Sequence, residues 1–113
     1  MTIRVTNVRR VKDGEYIGRA MPGRAGSPLG NPYKIGPDGD REQVIYQYRE
    51  WLEVQVYINN AVRSELRRLV DLARRRDVTL LCWCAPLPCH GDVVKEFIEQ
   101  ALSERPPKWF VNL

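Results

Sequence analysis

The stretch VTLLCWC, Val78 to Cys84, followed at once by APLPCHGD, Ala85 to Asp92, decides how this chain folds. A near-continuous apolar run of strand length predicts a central strand covered on both faces. Pro86 and Pro88 stiffen the turn that follows. Val93, Val94, Phe97, Ile98, Ala101 and Leu102 then recur at helical spacing, which predicts a helix from about Gly91 to Ser103, closed by Pro106-Pro107. A buried strand passing through a tight turn into an amphipathic helix is the repeating unit of α/β domains.

Working outward, IRVTNV at 3–8 alternates apolar and polar residues, and EYI at 15–17 follows the turn-forming Lys12-Asp13-Gly14, so two short strands open the chain. Asp40 with Gln43 three residues on predicts a capped helix through about Val56, carrying Val44, Ile45, Tyr48, Trp51 and Leu52 at helical spacing. After Asn59-Asn60 a second helix turns Val62, Leu66, Leu69, Val70 and Ala73 inward, its arginines outward, and ends near Arg76. The closing KWFVNL is too apolar to stay in water and is expected to add an edge strand or dock on the core. The order predicts one α/β domain over 1–113, a small Rossmann-like sandwich with a short, partly parallel sheet and about three helices.

Length and composition agree with a single soluble domain: 113 residues, 43% hydrophobic and 28% charged. No stretch reaches the roughly 20 apolar residues that span a bilayer, and MTIRVTNVRR has no apolar signal core, so the expected location is cytoplasmic. The net charge of +4 admits a phosphate-bearing partner without the dense basic face of a dedicated DNA binder. Fourteen of the 18 cations are Arg, whose planar fork suits phosphate and carboxylate. Arg63, Arg67, Arg68, Arg74, Arg75 and Arg76, on the second helix, read first as a solvated face.

Two segments carry the candidate chemistry. All three Cys and the only His lie within 82–90. An odd Cys count without a secretory signal argues against a disulfide framework. On a strand, Cys82 and Cys84 would leave the same face, and the prolines would bring Cys89 and His90 toward them. Three readings follow. Cys82, Cys84, Cys89 and His90 are the ligand types of a closed zinc site, with tighter spacing than the usual paired motif. Alternatively Cys89, beside a helix N-terminus with His90 and Asp92 near, is a nucleophilic or redox thiol. On the third reading Cys82 is core, Cys84 lines the strand end and His90 caps the helix.

The other segment is the loop from Gly18 to Asp40. Between positions 14 and 39 lie seven of the eight glycines and four of the eight prolines. A connection this long inside a small domain is commonly functional. Gly18 and Gly30 would let backbone amides approach a ligand, Arg19 and Arg24 would clamp an anion, and Ser27 and Asn31 would complete the cradle. Neither a GxGxxG fingerprint nor a P-loop Lys is present. Tyr46, Tyr48, Trp51 and Tyr57 read as core and boundary residues, and Trp83 as packing beneath a helix. Glu15 and Asp40 are weaker candidate acids.

With YIGR, SPLGNPY, YREWL and LLCWCAPLPCHGDVV in hand, the chain resembles the family catalogued as domain of unknown function 4326, found in bacteria and their phages, over residues about 3 to 100. The resemblance implies that Gly18, Arg19, Ser27, Pro28, Leu29, Gly30, Asn31, Pro32, Cys82, Trp83, Cys84, Pro86, Cys89 and His90 occupy family motif positions, and it assigns them no roles. The family is also similar at fold level to small Rossmann-like nucleotide-binding proteins. The reading is a protein that binds a nucleotide or related phosphorylated small molecule between the Gly/Arg loop and the Cys/His motif, with hydrolysis or group transfer as its chemistry. The alternatives are a structural zinc module contacting nucleic acid or a protein through the Arg-rich helix, and a thiol redox protein.

Overall fold

The computed structural model describes residues 2–111. The elements are β1 (Ile3–Asn7), β2 (Glu15–Tyr16), α1 (Arg41–Ile58), α2 (Asn60–Ala73), β3 (Val78–Cys82), α3 (His90–Ala101) and a single turn, α4 (Lys108–Val111). The sheet is parallel throughout, in the order β1-β3-β2. Ile3 pairs with Val78 and Asn7 with Cys82, while Glu15 and Tyr16 pair with Leu80 and Leu81 on the other side. The chain is thus a small α/β domain built around β3.

Parallel pairing needs the chain to return to the same end of the sheet before each strand. Between β1 and β2 the connection through residues 8–14 suffices, because β2 is only two residues long and pairs with Leu80 and Leu81, close to the level at which β1 ends opposite Cys82. Gly14 permits the approach, since a Cβ there would stand 2.8 Å from the Thr79 carbonyl oxygen.

The helices bury their apolar stripes in one core. Tyr48, Leu52 and Val56 of α1, Val62, Leu66, Leu69 and Val70 of α2, and Val93, Val94, Phe97 and Ile98 of α3 meet Ile3, Val78 and Leu80 there. β3 is the expected central strand, buried at every position but Thr79, although the helices cover only one of its faces. The opposite face carries the exposed Arg4, whose Nε donates to Thr79 Oγ1 at 3.1 Å, and Leu81 there is covered at the Gly14 turn. The apolar run reflects a strand with one helical face and one short covered patch.

Capping follows the sequence. Asp40 accepts from the Gln43 backbone N–H at 2.8 Å, and Gln43 Oε1 accepts from the Asp40 N–H at 2.8 Å. Asn59 caps α2 by accepting from the Val62 N–H. The tail forms helix α4 where an edge strand was one expectation, because Trp109 packs on Phe97 at 5.5 Å and is buried; Asn112 and Leu113 lie outside the described residues. No described helix is long and apolar enough to cross a membrane.

The long loop is ordered by its own polar groups. Leu29 is fully buried, and the Tyr48 hydroxyl donates to its carbonyl at 2.7 Å. Asn31, also buried, donates to the Val44 carbonyl and accepts from the Tyr33 N–H. Tyr48→Phe would leave the Leu29 carbonyl unpaired in the core and should lower stability by about 1–3 kcal/mol. Urea denaturation measures this, and a loss under about 0.5 kcal/mol, the range of inert surface changes, would contradict the anchoring role.

Candidate functional site

The strand ends earlier than the apolar run predicts, at Cys82. Asn7 is responsible: its side-chain amide donates to the carbonyls of Trp83 (3.0 Å) and Ala85 (3.1 Å), drawing the chain out of the ladder. The Ala85-Pro86 peptide is cis. Cys82 and Cys84 therefore do not share a strand face. Cys82 is buried with its Sγ 3.3 Å from that of Cys89, whereas Cys84 is half-buried beside them.

Cys89 is the N-cap of α3. Its sulfur accepts from the Gly91 N–H at 3.2 Å while Asp92 accepts from the Cys89 N–H at 3.0 Å, a capping box with a thiol in the place of a hydroxyl. Asp92 is thus engaged in capping and does not line the cavity described below. His90 Nε2 lies 2.7 Å from the Ile17 carbonyl oxygen, which can only accept, so Nε2 carries the proton. Burial drives the His90 pKa down. The ring is therefore neutral near pH 7, with Nδ1 as its acceptor nitrogen.

All three strands end toward one edge, where ligands bind in open α/β sheets. A cavity of about 200 Å³ lies between the loop and the Cys/His turn. The loop supplies Gly18, Arg19, Met21, Asn31, Tyr33 and Ile35; α1 supplies Arg41, Val44 and Ile45; the turn supplies Trp83, Cys84, Pro88, Cys89 and His90. No carboxylate is among these lining residues. Arg19 Nη1 donates to the carbonyls of Asn31 (3.0 Å) and Tyr33 (3.2 Å), and Arg41 Nη1 to that of Pro88 (3.0 Å), which fixes both guanidinium forks.

Of the residues singled out in the sequence, Gly18, Arg19, Asn31, Cys84, Cys89 and His90 meet at the cavity, and Cys82 stands behind Cys89. Arg24 instead stacks on the Tyr16 ring at 4.7 Å. Ser27 holds the Leu29 N–H, and Gly30 passes so close to Gly18 that a Cβ would lie 3.0 Å from its carbonyl oxygen. These three shape the loop from outside the cavity. Trp83 does not pack beneath a helix: it is 38% exposed, donates its indole N–H to the Tyr16 hydroxyl at 2.8 Å, and has Arg9 over its ring. Sequence reasoning missed Arg41. The only available signal was its place directly after the Asp40 cap, at a helix N-terminus that the loop brings to the strand edge.

The three thiols share protons unequally. Interactions with Cys82 and Cys84, together with burial, push the Cys89 pKa up. Cys84 is pulled down to about 5, first by its interaction with Cys89 and then by the guanidinium of Arg41. Cys82 is lowered to about 7, chiefly by Cys89. Among the described residues, no group of three or more His, Cys, Asp and Glu is arranged to hold a metal ion. On the α2 face, Arg67 and Arg74 pair with Asp71, Arg68 with Glu65 and Glu15, and Arg76 with Glu15.

A thiol with a pKa near 5 is a thiolate at neutral pH and loses that form only as pH falls through about 5. Iodoacetamide should label Cys84 ahead of Cys82 and Cys89, at rates that change little between pH 8 and pH 6. An ordinary thiol would slow about 100-fold over that range. A drop of that size at Cys84, read by peptide mapping, would contradict the assignment.

No curated protein and no solved structure matches the chain. The model of one family, described as domain of unknown function DUF4326, matches residues 2–100 and so covers both strand edges, the loop and the whole Cys/His turn. The chain belongs to the DUF4326 family.

Proposed function

We propose that the protein binds a nucleotide or a closely related phosphorylated small molecule in the cavity between the loop and the CWCAPLPCH turn. One observation carries this reading: two oriented guanidiniums, Arg19 and Arg41, face a cavity without carboxylates at the C-terminal edge of a parallel sheet. Such a field favours an anion, and the planar forks suit phosphate oxygens. Arg19 uses Nη1 on the loop carbonyls, so its other N–H groups serve the ligand.

The rest of the lining favours a nucleotide over a bare phosphate. Trp83 and Tyr33 offer aromatic faces, with Met21 and Ile35 as apolar neighbours at the mouth. A base gains stacking and apolar burial on such surfaces. Cys84 and the neutral His90 are the polar groups near any bound ligand that have acid–base or nucleophilic capacity, and they would carry hydrolysis or group transfer.

Isothermal titration calorimetry with nucleoside mono-, di- and triphosphates, the free nucleosides and inorganic phosphate tests the proposal. At least one nucleotide should bind saturably and more tightly than its nucleoside. Arg41→Ala should weaken that binding by about 10- to 100-fold, the worth of a charge-assisted hydrogen bond. Silence across the panel, or equal affinity of the variant, would overturn the reading.

A further inference from the structure

The Cys cluster has an arrangement that ligand binding does not require. Three thiols stand in series from the cavity inward. Cys84 lines the cavity and packs, half-buried, against the cluster of Cys82, Ala85 and Cys89; Cys89 caps α3; and Cys82 is fully buried with its sulfur 3.3 Å from that of Cys89. A disulfide has its sulfurs about 2.05 Å apart, so closure of Cys82 on Cys89 asks for a shift of little over 1 Å. The capping role could be met by Ser or Thr, and the strand end by Val, so neither packing nor capping accounts for three thiols gathered in one cluster.

We propose that Cys84, Cys89 and Cys82 form a thiol relay that reduces a small peroxide and stores the oxidation as an internal Cys82–Cys89 disulfide. It does not rest on the nucleotide reading, although Cys84 lines the same cavity. The Cys84 thiolate, beside the Arg41 guanidinium, attacks one peroxide oxygen: the S–O bond forms, the O–O bond breaks, and the departing hydroxide takes a proton and leaves as water. The Cys89 sulfur then attacks the Cys84 sulfenic acid, forming the Cys84–Cys89 disulfide and releasing a second water with the thiol proton. Cys82 attacks the Cys89 sulfur in turn, and its proton passes to the Cys84 thiolate that departs. The sum is one peroxide and two thiols converted to one disulfide and two waters, with Cys84 restored.

Placement explains the division of labour. The sulfur that meets the oxidant must be reachable, and Cys84 alone of the three is not buried. The sulfurs that hold the disulfide are best hidden from competing thiols, and Cys82 and Cys89 are.

The test treats the full chain, reduced and freed of reductant, with stoichiometric hydrogen peroxide, followed by intact mass and peptide mapping. The wild type should lose two hydrogens and yield the Cys82–Cys89 linkage. Cys89→Ser should instead accumulate a dimedone adduct on Cys84. Cys84→Ser and Cys84→Ala, with folding checked by circular dichroism, should form the Cys82–Cys89 disulfide at least about tenfold more slowly, because the exposed thiolate is the reactive species. Formation at the wild-type rate in both Cys84 variants would overturn the relay, as would no disulfide in the wild type or no dimedone adduct on Cys84 in the Cys89 variant.

Discussion

The pairing of Val78–Cys82 with a parallel neighbour on each side is the constraint from which the rest follows. Because β1, β2 and β3 run the same way, the chain leaves all of them on one edge. Asn7 leaves β1 there and turns Trp83 and Ala85 out of the sheet; Ile17 leaves β2 there and receives the His90 N–H; Cys82 leaves β3 there and meets Cys89. Residues more than 70 positions apart in sequence are thereby held within hydrogen-bond distance. A slip of one residue in the register would carry the Cys/His turn away from the Ile17 carbonyl and reverse which side chains of β3 face the core.

The second condition is that the loop be fixed before any ligand arrives. Its anchors are the buried Tyr48 on Leu29 and Asn31 on Val44 and Tyr33, and the exposed Arg19 on Asn31 and Tyr33. An arginine already held by two carbonyls loses less freedom on binding an anion than one free in water. The same preorganisation serves the thiols. Cys84, at the cavity wall, has its pKa lowered by its neighbour Cys89 and by the Arg41 guanidinium, while that of the buried Cys89 is raised.

Much of this was legible in the sequence, because local chemistry governs it. The Asp40–Gln43 box, the Asn59 cap and the apolar stripes of three helices involve partners within a turn or two, and periodicity locates them. The gathering of Cys and His in one short turn beside a Gly-rich loop also marked the site. What depended on distant partners was not legible. Where β3 ends is decided by Asn7, which lies 76 positions from Trp83. That early end turns Cys84 off the strand face of Cys82 and leaves it half-buried at the cavity, while Cys89 is buried. Asp92, in sequence the acid nearest the Cys/His turn, accepts from the Cys89 N–H as part of the α3 cap, a geometry set by the helix start. Arg24 was expected to clamp an anion and Arg41 drew no reading, yet the path of the loop stacks the first on Tyr16 and brings the second to the cavity.

The claim at the centre of this account is that the strand-edge cavity is where the protein meets a phosphorylated ligand. Amide chemical shifts of the isotope-labelled protein, followed by NMR as a mononucleotide is titrated in, test it most directly. The account predicts saturable shifts concentrated at Gly18, Arg19, Asn31, Tyr33, Arg41, Trp83, Cys84 and His90. Shifts centred on the α2 arginines instead, or none at millimolar ligand, would contradict it.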